Sequence, residues 1–471
     1  MSPSYTSETD LPKRTLRRMP LGSTLEAGSA PRLRKPAFLG VSWRVHVTNL
    51  FSLAGLVAAV FGTGLLFGST GGEILAGSVV ILVGSLILVL TFPLVVWPQD
   101  RAFLWRVVLA GVLIRVGISL VAHTSLPVGF FAPDQFTFQD VGWRTLLYHQ
   151  GLGPAPRQIS GHLEVGYFYW NAFLFAIFGN EPLAPKLVNC FLGVFTALMA
   201  YRMAGGLAGR EAALNAAVLT MFFPSLVLWS TQNLRDTVVL FLIAGIFYLT
   251  LRVRARPSGH LLALLVGGIL ALALFRDYMA IMVVFTLLGA FLVSQQQQMI
   301  TNVFMGLVLF GAAVLAYQYL GLGSGWLESA NFEAIQAQRE ALATGGTAFR
   351  PEADVSSTLR GLQYLPYGLV FFFLAPFPWQ IGTTLSLMTL PEMLVWYALL
   401  PLVFLGGWHL LKTRFVAAQP LVLFLVLTGA VYALVEGNAG TAYRHRAQLI
   451  LFMLILAAAG LEVWKGRGKR Q

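Results

Sequence analysis

Long apolar runs separated by short polar segments dominate the sequence from about residue 46 onward. Clear examples are LAGLVAAVFGTGLLFG (53–68), ILAGSVVILVGSLILVLTFPLVVW (74–97) and RAQLILFMLILAAAGLEVW (446–464). Such runs approach or exceed the roughly 20 residues that a helix needs to cross a hydrocarbon core. They lack the strict alternation expected of strands in a membrane barrel. The pattern therefore predicts an all-α, polytopic membrane protein.

Composition supports this prediction and excludes two other classes. With 57% apolar and 11% charged residues, the chain lacks the polar surface of a water-soluble globular protein. The formal net charge of +12 could indicate nucleic-acid binding. However, the basic residues flank the apolar runs, which is the positive-inside pattern of membrane proteins. The clusters lie in the N-terminal tail, at RVRAR (252–256), at Lys412 and Arg414, and at KGRGKR (465–470). We therefore expect a lipid bilayer as partner and no nucleic acid.

Placing every basic cluster on the cytoplasmic side yields one consistent topology with about twelve transmembrane helices. Both termini are then cytoplasmic, in a bacterial cytoplasmic membrane. The predicted crossings lie near 46–68, 74–97, 103–123, 185–205, 211–230, 237–251, 261–275, 278–294, 299–319, 388–410, 417–436 and 446–464.

Two further apolar stretches do not fit as full crossings. Counting YFYWNAFLFAIFG (167–179) would reverse the orientation of the basic segments that follow it, and its 13 residues are short for a span. The stretch YLPYGLVFFFLAPFPWQ (364–380) contains three prolines, which are expected to break a continuous helix. Both are predicted to be partial insertions that belong to outer loops.

This topology divides the chain into five parts. They are a disordered basic cytoplasmic tail (1–45), an N-terminal transmembrane hairpin (46–100), a transmembrane core (101–320) with a first outer loop (124–184), a large outer loop (321–390), and C-terminal transmembrane helices with a basic tail (391–471). The large loop contains an amphipathic stretch near 329–343 and is predicted to act as a lid. Arg339, Arg350 and Arg360 within it are expected to be solvated.

Acidic side chains are scarce, so those near the outer membrane surface are candidates for chemistry. Asp134 follows the crossing at 103–123, and Asp236 lies between two later crossings at the same side. If the two meet, they could orient an acceptor hydroxyl or hold a divalent metal ion. Glu164, at the entry to the short apolar stretch, is a candidate for substrate binding. The residues leave open whether a metal takes part.

Cationic residues on the outer side run against the positive-inside bias and call for a reason. They are Arg235, Arg276, Arg444 and Arg446. Guanidinium groups bind phosphate oxygens in two-point geometry, so an anionic phosphate ligand at the membrane surface is one reason. Pairing with nearby carboxylates is the other. Arg115, in the middle of a crossing, must face the interior of the bundle.

The order of features from 103 to 240 resembles the GT-C superfamily of membrane glycosyltransferases, especially bacterial relatives of protein O-mannosyltransferases and of lipid A aminoarabinose transferase. The resemblance rests on PDQFTF with Asp134, on YFYWNAFLFAIFGNEPLAPKLVNCFLGVFTAL, and on AGGLAGREAALNAAVLTMFFPSLVLWS before Asp236. It implies a seven-helix core with partial helices in the outer loops. The N-terminal hairpin departs from that pattern, as does Gln135, which stands where the family usually has a second acid.

The resemblance further implies an enzyme that transfers a sugar, with inversion, from a polyprenyl-phosphate donor to an envelope glycan, lipid or protein on the outer face. Asp134 matches the acceptor base and Asp236 the second acid, while Arg444 and Arg446 resemble an Arg-x-Arg suited to the lipid phosphate. Two alternatives stay open. One is an O-antigen or exopolysaccharide polymerase. The other is a transporter or flippase of lipid-linked glycans, for which internal repeats would be expected and none is evident in the sequence.

Overall fold

Helices form nearly all of the regular structure. The computed structural model describes residues 71–127, 129–159, 165–292, 331–343, 348–350, 352–380 and 384–468, together with residues 55, 62, 306–308 and 311. Within these ranges no strand is formed, and the β-type pairing is an isolated bridge between Ala348 and Asn438. The predicted all-α, polytopic membrane fold is confirmed.

Fifteen α-helices have their bounds within the described residues, α1 to α15 in chain order. They are α1 (Gly71–Val95), α2 (Arg101–Ser125), α3 (Asp134–His149), α4 (Gly166–Phe178), α5 (Leu183–Ala208), α6 (Arg210–Phe222), α7 (Pro224–Ser230), α8 (Arg235–Ala255), α9 (Gly259–Phe275), α10 (Asp277–Leu292), α11 (Phe332–Leu342), α12 (Thr358–Leu374), α13 (Thr384–Thr413), α14 (Phe415–Val435) and α15 (Ala439–Gly468).

Seven of the described helices are long and apolar enough to cross a membrane: α1, α2, α5, α8, α13, α14 and α15. The predicted crossing at 211–230 is instead two helices, α6 and α7, which are bent by 54° where Phe223 precedes Pro224. The apolar helices α9 and α10 are shorter, with 17 and 16 residues. The predicted crossings at 46–68 and 299–319 lie almost wholly outside the described residues, so the total of about twelve stays a prediction.

The two stretches predicted to be partial insertions have different structures. The first is the 13-residue helix α4, which ends at Phe178 before Gly179, a residue with φ of 80°. A positive φ suits glycine because it has no Cβ. The second stretch contains the end of the 17-residue helix α12, and Pro366 lies inside that helix. The expectation that all three prolines interrupt the helix is therefore wrong for Pro366, since one proline removes one backbone N–H and a packed membrane helix tolerates that loss.

Two helices form the centre of the bundle. In each of α5 and α15, 78% of the residues in the apolar segment that could cross a membrane are buried within the protein. Helix α15 packs most closely on α13, where Gly406 and Gly460 face each other across the interface. A Cβ on Gly406 would overlap the Leu456 carbonyl oxygen, and one on Gly460 would overlap that of Leu402. Small residues at such positions let membrane helices approach to backbone contact.

The variant Gly406→Ala is expected to lower the free energy of unfolding by about 1–3 kcal/mol, because the added methyl group would push α13 away from α15. Thermal unfolding of the purified protein in detergent measures this loss. Gly117→Ala is the matched control, since a Cβ there meets no atom within 4 Å. Equal melting temperatures for the two variants would contradict the proposed close contact.

Candidate active site

Four charged side chains from distant parts of the chain meet at one end of the bundle. Asp134 begins α3, Asp236 lies in the first turn of α8, Arg276 connects α9 to α10, and Arg444 lies in the second turn of α15. Each residue is thus at or near a helix end, where a side chain can reach the centre of the bundle from its rim. We call these four residues the Asp134–Arg444 cluster.

Arg444 connects the two carboxylates. Its Nη1 donates to Asp134 Oδ2 at 2.6 Å, while its Nη2 and Nε both donate to Asp236 Oδ2, at 2.6 and 2.9 Å. Hydrogen bonds of this length between charged groups are the strong ones in proteins. The two aspartates therefore lie on either side of one guanidinium group, although 102 positions separate them in the sequence.

The two carboxylates differ in their exposure. The side chain of Asp236 is 4% exposed and also faces Arg276, whose Nη1 lies 3.4 Å from Asp236 Oδ1. The side chain of Asp134 is 52% exposed. A buried carboxylate held by two arginines is costly to disturb, whereas a half-exposed ion pair contributes little stability. Asp236 is thus a fixed anchor for Arg444, and Asp134 is its exchangeable partner.

Buried amide groups hold the segment that carries Asp236. Asn189, in the second turn of the membrane helix α5, donates through Nδ2 to the carbonyl oxygens of Gln232 and Leu234, at 2.8 and 3.0 Å. The Tyr167 hydroxyl donates to Asn233 Oδ1 at 2.8 Å. The Asn233 side chain in turn donates to Asn171 Oδ1 at 2.9 Å. In an apolar bundle the Asn189 bonds satisfy two backbone carbonyl groups of the non-helical segment between α7 and α8, and the other two bonds hold the Asn233 side chain.

Gln135 links this segment to Asp134. Its side chain is buried, its Oε1 accepts from the backbone N–H of Asn233 at 3.3 Å, and its Nε2 donates to the Ala132 carbonyl oxygen at 3.3 Å. An amide can accept and donate at once, whereas an ionised carboxylate only accepts. The glutamine that stands in place of the family's second acid therefore fastens the Asp134 turn to the Asp236 segment.

The other predicted site residues lie elsewhere or outside the described region. Glu164 falls outside the described residues. Arg235 precedes Asp236 at the start of α8 and is partly buried. Arg446 is 1% exposed and donates through Nη1 to the carbonyl oxygens of Phe373 and Ala375, at 2.7 and 2.9 Å. These contacts hold the end of α12 in place and favour a structural role for Arg446. The phosphate binding that the sequence predicts for Arg446 stays a prediction.

The large loop is fastened beside the cluster. Arg339 of α11 is fully buried and donates to the Glu436 carbonyl oxygen at 2.6 Å and to that of Phe349 at 3.2 Å. Glu436 pairs through its side chain with His445, the neighbour of Arg444. The expectation that Arg339 is solvated is wrong. Its guanidinium group is buried and donates hydrogen bonds to backbone carbonyl oxygens where the loop meets the turn between α14 and α15.

Arg115 faces the bundle interior, as predicted. It is 1% exposed, and it donates to the Met221 carbonyl oxygen at 2.8 Å and to Ser230 Oγ at 2.9 Å. A cavity of about 20 Å³ lies between Arg115 and Asp236, which is room for a single water molecule. Carbonyl and hydroxyl contacts therefore account for this intramembrane arginine.

The cluster brings together two carboxylates and two guanidinium groups. Among the described residues no three His, Cys, Asp or Glu side chains converge. Between Asp134 and Asp236 the guanidinium group of Arg444 stands where a cation would bind. We therefore assign no step to a metal ion.

Comparison with known families supports an enzymatic role for the molecule. Residues 165–320, about a third of the chain, match the family described as dolichyl-phosphate-mannose-protein mannosyltransferase, which is a GT-C family. The predicted GT-C resemblance is confirmed. The match supports a membrane glycosyltransferase of the GT-C type. No curated protein matches the sequence. The matched region includes Asp236 and Arg276, together with the amide groups of Asn171, Asn189 and Asn233.

Arg446→Met is expected to destabilise the protein, because the carbonyl oxygens of Phe373 and Ala375 would lose their donor at a cost of about 1–3 kcal/mol each. Thermal unfolding measures the loss, with Arg106→Met at an exposed position of α2 as control. Among molecules that remain folded, an unchanged affinity for polyprenyl phosphate would contradict the predicted phosphate binding and leave Arg446 a structural residue. A weakened affinity at normal stability would instead establish Arg446 as a phosphate ligand.

Proposed function

We propose that this glycosyltransferase transfers a sugar, with inversion, from a polyprenyl-phosphate donor to a hydroxyl acceptor at the Asp134–Arg444 cluster. The acceptor is an envelope glycan, a lipid or a protein. The reaction takes place on the outer face of a bacterial cytoplasmic membrane, with both chain termini in the cytoplasm. The observation that carries the proposal is the position of Arg444 between a half-exposed carboxylate and a buried one.

In the proposed reaction, the acceptor oxygen attacks the anomeric carbon while Asp134 takes the hydroxyl proton. The bond between the anomeric carbon and the phosphate oxygen breaks, and the polyprenyl phosphate leaves with the bonding electrons. A carboxylate at the membrane surface suits the first task, since it must meet a water-soluble or membrane-bound acceptor. Guanidinium groups suit the second, because they stabilise charge that develops on the leaving phosphate.

Arg444 is proposed to exchange partners when the donor binds. Its Nη1 holds the exposed Asp134, while Nη2 and Nε hold the buried Asp236. A donor phosphate that takes Nη1 would displace only the weaker contact and leave Arg444 anchored. Asp134 would then be free to accept a proton. Binding of the donor phosphate to Arg444 thus releases Asp134 from its ion pair, so that Asp134 can act as the base.

Arg276 and Arg235 extend the proposed phosphate site. Arg276 lies on the far side of Asp236 from Arg444 and keeps that carboxylate neutralised while Arg444 binds phosphate. Arg235, at the start of α8, is proposed to contact the donor beside them, and Glu164 to contact the sugar or the acceptor. The loop around α11 is proposed to close over the site. The match to a transferase family favours this function over a polymerase or a flippase.

Asp134→Asn is expected to reduce turnover by about 10²- to 10⁴-fold, the usual contribution of a general base. The assay follows consumption of a polyprenyl-phosphate sugar by purified protein in the presence of acceptor. Asp140→Asn is the control, because Asp140 is on the same helix, is exposed, and pairs with Arg144. Normal turnover by the Asp134 variant would refute the proposed base.

The same variant separates the partner exchange from the chemistry. Asp134→Asn frees Arg444 Nη1, so it is expected to bind polyprenyl phosphate up to about fivefold more tightly, a gain in line with a partly exposed ion pair. Binding without acceptor can be measured by calorimetry, again with Asp140→Asn as control. Unchanged or weaker binding would refute the exchange and leave the role of Asp134 as base untouched.

A further inference from the structure

A groove lies at the end of the bundle opposite the Asp134–Arg444 cluster. It is open to its surroundings and has a volume of about 560 Å³ between the ends of α5, α13 and α15, which is within the range of ligand sites. Glu462, on its wall, is about five turns along α15 from Arg444, which corresponds to about 27 Å at the rise of an α-helix. That distance matches the thickness of a hydrocarbon core. The groove therefore lies at the second membrane surface.

The lining of the groove is amphipathic. Its floor is apolar and fully buried, formed by Leu207, Leu410 and Ala459. Its rim is polar, with His409, Thr413, Arg414 and Glu462. Arg414 is exposed and uses Nη1 to donate to the Gly206 carbonyl oxygen at 3.0 Å, which fixes the guanidinium group at the rim. Such a lining suits a ligand with an apolar body and an anionic head.

Helix α13 marks the membrane boundary beside the groove. Phe404, Trp408 and Lys412 are four residues apart and therefore share one face of the helix, and all three are exposed. The Lys412 ammonium lies 4.4 Å from the centre of the Trp408 ring. The order phenylalanine, tryptophan, lysine along one helix face is typical of the membrane interface, where the hydrocarbon core gives way to lipid headgroups. An acyl chain can thus follow this face while its phosphate reaches Arg414.

The charge near the groove is complementary to an anion. Arg414 and Lys412 are cationic, and the single acid of the lining, Glu462, is already paired with Lys465 at 3.1 Å and accepts from Asn215 at 3.0 Å. Basic pockets between membrane helices on the cytoplasmic side are suited to acidic lipid headgroups. The positive-inside pattern of the sequence assigns this end of the bundle to that side.

We propose that this groove binds the phosphate headgroup of an anionic phospholipid, far from the transfer site. Arg414, at the rim of the groove, and Lys412, beside the groove, contact the phosphate, and the acyl chains lie along the exposed Phe404 and Trp408 face. The site is independent of the proposed reaction, because none of its residues belongs to the Asp134–Arg444 cluster.

The test uses the full-length protein, purified in detergent and titrated with phosphatidylglycerol while thermal unfolding is followed. The wild type is expected to melt several degrees higher with phosphatidylglycerol than with phosphatidylcholine. The double variant K412Q/R414Q is expected to bind phosphatidylglycerol about tenfold or more weakly, because it lacks the attraction of two cations to the lipid phosphate. The control R106Q/R256Q removes two exposed cations from the same end of the bundle but outside the groove.

Three outcomes would overturn the proposal. In one, K412Q/R414Q keeps the wild-type affinity. In another, the control loses as much affinity as the groove variant, which would indicate general surface charge. In the third, inorganic phosphate alone raises the melting temperature as much as the lipid does, which would indicate a phosphate site with no role for acyl chains. The proposed sugar transfer can fail without affecting any of these measurements.

Discussion

The two-sided ion pair of Arg444 is the interaction on which the architecture of the site depends. A guanidinium group and two carboxylates at the end of an apolar bundle are stable only because they neutralise one another. By pairing with both aspartates, Arg444 of α15 fixes the distance between the start of α3 and the start of α8. Helix α15 is therefore part of the candidate active site as well as of the core.

The same requirement explains the amide groups behind the cluster. The chain is not helical between α7 and α8, and no water is available inside a bilayer to satisfy its backbone groups. Asn189 satisfies two of its carbonyl groups and Gln135 one of its N–H groups. Each of these residues is an amide, which donates and accepts without adding charge to an already charged site. Gln135, where the family usually has an acid, meets the same need for a hydrogen-bonding group without charge.

The sequence predicted the fold class, most of the described crossings and the short helix α4, because these follow from the length and hydropathy of single segments. It did not predict the bend at Phe223 or the burial of Arg339, which depend on packing between segments. The amide in the second turn of α5 was a signal that the sequence offered, since Asn189 is a polar residue within an apolar run. Its partners, 43 and 45 positions away, could not be predicted from local pattern.

Arg444 and Arg446 show how the secondary structure of a motif decides which groups its residues contact. As a loop motif, the two arginines form one cationic pair that suits one phosphate. Helix α15 begins at Ala439, however, so both residues are helical, and two positions along a helix turn a side chain by about 200°. One arginine therefore faces the carboxylates while the other faces the end of α12. The start of α15, a few residues before the predicted crossing, is what gives these neighbouring cations separate roles.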